Sequence, residues 1–162
     1  MYQWIVLLHI IGAFLFVIAH GASIWAVNAI RRESQPGRIA ALTDLSSMSL
    51  SAAYVGLLLL LIGGIWAGIY QSWFSSGWIW AALGVFIVIA VAMYAIATPY
   101  FKRLRIALGQ RTMGLAKDAP DPVAQSDAEI VAVAASAPAV LLDVVGFVGL
   151  VVILWLMVVK PF

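Results

Sequence analysis

Apolar residues fall into four long, continuous blocks, at about 4–28, 45–70, 78–99 and 138–159, with polar breaks between them. A hydrocarbon layer about 30 Å thick is crossed by roughly 20 residues of helix, so each block is long enough to span a bilayer. The first block holds no formal charge, and the fourth holds one, Asp143. Lipid offers backbone N–H and C=O groups no partner, so the blocks must pair their own backbone as helices. A membrane β-barrel would alternate in short segments, and these runs do not. The pattern predicts an all-α polytopic membrane protein, a four-transmembrane-helix bundle, with 1–162 as a single membrane domain. The leader MYQW lacks a basic n-region, so the first block reads as a retained span rather than a cleaved signal.

The breaks set the orientation. Arg31, Arg32 and Arg38 occupy the first, and Lys102, Arg103, Arg105, Arg111 and Lys117 the third. The second break, 71–77, carries no Lys or Arg, and the opposite side has only Lys160. Basic residues are retained on the cytoplasmic side, which predicts a cytoplasmic connection over 100–137 and both termini outside, N-out and C-out. Pro36-Gly37 signals a short turn, and Asp44 is placed to cap the second helix. The 102–117 stretch reads either as a basic extension of the third helix or as a surface-lying amphipathic segment. After a polar linker at 118–127, Ser126 and Glu129 form a capping box where a helix restarts, and Pro138 either kinks it or begins a new one.

Composition narrows the class. The chain is 65% hydrophobic and 10% charged, with a mean hydropathy of +1.08. A soluble domain is about 45–50% apolar and about 25% charged, so a water-soluble fold, a disordered chain and a nucleic-acid-binding module are all excluded. There is no cysteine, which removes disulfides, thiolate metal sites and c-type haem attachment. Trp4, Trp66, Trp73, Trp78, Trp80 and Trp155 cluster toward the outer side. They read as an interfacial belt, or as a docking surface for a partner subunit or a lipid-soluble quinone. Small residues suited to close helix contact recur at Gly64/Gly68, Gly63/Ala67, Ala22/Ala26 and Gly146/Gly149.

Ionisable groups stranded in hydrocarbon are costly and turn toward protein, so they are the candidates for chemistry. His9 and His20 lie on one face of the first helix, roughly 16 Å apart along its axis. Imidazole is the commonest protein ligand for haem or a metal ion, and either ring is a candidate. The two are too far apart to take both faces of one iron. Met157 at the depth of His9 and Met93 at the depth of His20 are the available second ligands. Asp143 lies near the depth of His20, where a pair would lower the burial penalty of both groups. Tyr94 and Thr98 complete an expected polar intramembrane cluster with His20 and Asp143, and Ser23 and Asn28 extend it. No hydrolase constellation, phosphate-cradling glycine loop or catalytic carboxylate pair is visible.

The stretch MYQWIVLLHIIGAFLFVIAHGAS, the DLS at Asp44, Leu45 and Ser46, and WIWAALG at 78–84 resemble a superfamily of small four-helix bacterial membrane proteins. It includes predicted integral membrane proteins of unknown function. Its relatives are the copper-resistance-D-like and haem-b protoporphyrinogen oxidase families. The resemblance implies the bacterial cytoplasmic (inner) membrane and, by the haem-b relatives, His9 as a haem ligand. The aromatic signature ending in Tyr-His that follows this histidine in the oxidases is absent, and His20 stands in AHGAS. Three functional expectations follow. One is an accessory or assembly subunit of a larger membrane complex, or a homo-oligomer. Another is a small haem-b redox protein with His9 as axial ligand, working with quinone. The third is a small transporter using a His20/Asp143 site.

Overall fold

The computed structural model describes every residue except 113–115, 117 and 119. Its helices are α1 (Tyr2–Arg32), α2 (Pro36–Tyr70), α3 (Gly77–Ala107), α4 (Asp127–Ala135) and α5 (Ala139–Val159), with one 3-10 turn at Trp73–Ser75. Four stretches are long and apolar enough to cross a membrane: α1, α2, α3, and α4 with α5. A four-span helical bundle is thus the architecture, as the hydropathy pattern predicts.

The helix limits follow local chemistry. Pro36 opens α2 at its first turn, where its fixed φ suits a helix and its missing N–H costs nothing. The Glu33 carboxylate accepts from the backbone N–H of Ser34 at 2.8 Å and of Gln35 at 3.1 Å. These bonds, with Arg38 nearby, hold the Glu33 carboxyl below its ordinary pKa. The α1–α2 turn is therefore only 33–35, and Asp44 lies two turns inside α2 rather than at its cap. It faces Arg105 at 3.6 Å instead. The Ser126/Glu129 capping box starts α4 as expected, and Pro138 precedes a new helix. Of the two readings for 102–117, a helical extension of α3 holds as far as Ala107; Met113, Leu115 and Lys117 lie outside the described residues.

Packing divides the bundle into two antiparallel pairs, α1 with α2 and α3 with α5. The first pair keeps a seven-residue register. Tyr2 stacks on Tyr70 with ring centroids 5.5 Å apart; seven residues along, His9 meets Gly63, and after seven more Phe16 meets Gly56. The buried seam on α1 is Ile5, Gly12, Ala19 and Ala26, and on α2 it includes Ser46, Ala53, Gly56, Gly63 and Ala67. Small residues at this spacing let the two backbones touch. A Cβ on Gly56 would lie 2.5 Å from the Phe16 nitrogen, and one on Gly12 would run into the Leu60 backbone. On the other pair, Gly149 accommodates Ile89.

The two pairs are joined chiefly at the basic end. There Ile30, Ile39, Tyr100, Leu104, Ile130, Ala134 and Leu142 form one buried cluster. Tyr100 donates to the Ala134 carbonyl at 3.4 Å, tying α3 to α4. At the opposite end, which carries the 71–76 connection, a cavity lies between the pairs.

Candidate functional site

His9 is fixed by the α1–α2 seam. Gly63 brings α2 against its backbone, a Cβ there falling 2.7 Å from the His9 nitrogen. Gly64 clears space for the ring, since a Cβ on it would sit 2.9 Å from both Cε1 and Nδ1. Nδ1 lies 2.7 Å from the Leu60 carbonyl oxygen. A carbonyl only accepts, so Nδ1 must carry the proton, and in the neutral ring the lone pair is left on Nε2. Nε2 makes no hydrogen bond to any described residue. An imidazole whose first nitrogen is held by a carbonyl is oriented for its second to act as ligand or acceptor.

The ring borders a cavity of about 210 Å³ between the helix pairs. Tyr2, Trp73, Phe74 and Trp78 supply aromatic walls, and Met157 and Lys160 border it from α5 and the residue beyond. Trp73 and Trp78 meet edge to face at 5.5 Å. The Lys160 ammonium sits over the Trp73 ring, 3.8 Å from its centroid, and 5.3 Å from that of Trp78. The cavity is thus apolar, aromatic and partly open, with one imidazole and one cation on its border.

His20 lies elsewhere. Its ring stacks on Phe16, centroids 5.3 Å apart, and its Nε2 is 3.7 Å from where a Cβ on Gly146 would stand. The Met93 methyl is 3.9 Å from that same point. The fold therefore brings His20 and Met93 around one glycine of α5. The expected pairing of His20 with Asp143 is not made. Asp143 instead accepts from the Asn28 amide, at 3.0 and 3.1 Å to its two oxygens, while Asn28 also donates to the Ile24 carbonyl. Asn28 succeeds because it sits two turns nearer the basic end of α1 and one amide reaches both carboxylate oxygens. Tyr94, 70% exposed, and the exposed Thr98 stand outside this cluster. The inward face of α3 is Met93, Ile96, Ala97 and Tyr100, and the next residue along a helix turns 100° away from it. Among the described residues, no three His, Asp or Glu side chains gather to hold a metal ion.

Lys160 and the Leu60 carbonyl escape a sequence reading. The lysine's only signal is being the lone basic residue on the aromatic side, and the carbonyl has none.

Fold and site together define a small four-span integral membrane protein with a histidine-bearing cavity toward one membrane face. The chain belongs to the family described as predicted integral membrane protein (DUF2269), whose model matches residues 3–161. No curated protein and no solved structure matches it.

Proposed function

We propose that the protein binds a membrane-dissolved hydroquinone in the His9 cavity and serves membrane electron transfer as a quinol-binding subunit. The observation that carries this reading is the 2.7 Å bond from His9 Nδ1 to the Leu60 carbonyl. It leaves Nε2 as an acceptor, and an acceptor suits the O–H of a reduced quinone rather than the C=O of an oxidised one. The aromatic walls suit a flat ring, and the partly open cavity leaves an isoprenoid tail in the bilayer.

Haem b is the other group to weigh at this position. The donor chemistry fits: His9 has its second nitrogen held, and Met157 borders the same cavity. The volume does not. At about 210 Å³ the cavity is smaller than the roughly 300–1,000 Å³ that encloses drug-sized ligands. It takes one substituted ring and not a porphyrin. Quinol binding also agrees with an accessory role in a larger complex, to which the exposed tryptophans Trp66 and Trp80 offer a surface.

The test is titration of the protein in lipid nanodiscs with a short-tailed hydroquinone, followed by tryptophan quenching. Binding is expected, weakened about tenfold or more by His9→Ala. Equal affinity for wild type and His9→Ala overturns the reading. So does a Soret band in the reduced-minus-oxidised spectrum that disappears with His9.

A further inference from the structure

Lys160 follows the last residue of α5 and has φ +48° and ψ +61°. This left-handed conformation is the one in which helices commonly end, and glycine adopts it without the steric cost that a Cβ brings. A lysine here carries that cost, so its side chain merits an explanation. Its backbone N–H closes the helix on the Leu156 carbonyl at 3.1 Å, which glycine would do equally well. The ammonium makes no salt bridge and no hydrogen bond to any described residue. Its contacts are the π-faces of Trp73 and Trp78, two residues that line the His9 cavity together with Lys160 itself.

The neighbouring backbone holds this arrangement in place. The Trp78 N–H donates to the Phe162 carbonyl at 3.1 Å, and the Phe162 ring lies against Gly77, where a Cβ would be 2.8 Å from Cδ2. The residues after α5 are thereby bound to the start of α3, and Lys160 is held beside the cavity. A ring face attracts a cation but accepts none of its N–H bonds in the manner of an oxygen. Three donors of one charged group thus remain for a ligand oxygen at the cavity border.

We infer that Lys160 is the second polar contact of the ligand, so that the cavity selects rings with oxygen at two positions. His9 Nε2 accepts the O–H of one, and the Lys160 ammonium donates to the other. This rests on the quinol reading above and narrows it: a ring with a single hydroxyl satisfies His9 alone. The cation also favours an oxygen bearing negative charge, as charge-assisted bonds are the stronger ones.

The experiment compares two probes with the same alkyl tail, a 1,4-hydroquinone and a phenol, against the full chain in nanodiscs. Lys160→Gly suits the backbone conformation and preserves the helix end. It is expected to weaken the hydroquinone about tenfold and leave the phenol unchanged. Lys160→Arg keeps a cation that stacks on tryptophan and is expected to restore most of the difference. If Lys160→Gly leaves the hydroquinone unchanged, or weakens both probes equally, the inference fails while the quinol reading stands. If neither probe binds, or His9→Ala changes neither, the quinol reading fails and takes the inference with it.

Discussion

At the scale of single residues, the informative contacts are between a polar side chain and one specific neighbour. Asn28 and Asp143 form such a pair inside the bundle. Removing the amide leaves a carboxyl group in an apolar setting with no side-chain donor among the described residues. Asn28→Ala is expected to cost about 1–3 kcal/mol in a reversible denaturant titration in detergent. The double variant Asn28→Ala/Asp143→Ala should cost less than the two singles combined, and strict additivity would contradict the contact. Glu33 gives a pH-dependent counterpart. Its carboxyl is held below the ordinary value by the Ser34 and Gln35 N–H groups first and Arg38 last. A depressed acid stabilises the fold above its unfolded pKa, and that contribution disappears as pH falls through the native value. Glu33→Gln should therefore lower Tm at neutral pH, and the difference from wild type should shrink as the pH is taken down through the depressed native carboxyl. The Asn28–Asp143 pair was only half visible in the sequence. Hydropathy placed Asp143 toward the basic end of α1 but not finely enough to choose between His20 and Asn28, which lie about 12 Å apart along the axis, because the helix limits that set its depth come from the turns and not from the apolar run.

Between helices, the α1–α2 seam dominates. The spacing of Ile5, Gly12, Ala19 and Ala26 by sevens is present in the sequence, yet a search for glycines four apart passes over it. Gly64 and Gly68, which such a search selects, face the His9 ring and Phe74 instead of the α1 backbone. The true crossing points are Gly12, Gly56 and Gly63. Gly63→Ala is expected to destabilise by about 1–3 kcal/mol, because its Cβ would press on the His9 main chain, which cannot move as a side-chain tip can. Gly84→Ala is the control. No described residue stands within 4 Å of a Cβ there, so the better helix propensity of alanine should leave stability equal or slightly raised. The two substitutions, compared in one unfolding assay, separate backbone contact from propensity.

For the whole molecule, the spans were legible because hydropathy over about 20 residues overrides local detail. The cavity was not legible, since it comes from how two helix pairs diverge, and no stretch of sequence encodes that distance. The basic residues predict a membrane orientation that is open to direct measurement. The chain has no cysteine, so single cysteines report cleanly. Ser75→Cys should react with a membrane-impermeant maleimide on intact cells, and Arg103→Cys only after permeabilisation. The reverse pattern would invert the bundle. The three-residue link at 33–35 has a further consequence for biogenesis. Since α1 and α2 are adjacent in the chain and bury their own glycine seam, they can zip together in the translocon while α3 is still inside the ribosome. The imidazole would then already be locked on Leu60 before the helices that roof its cavity leave the ribosome.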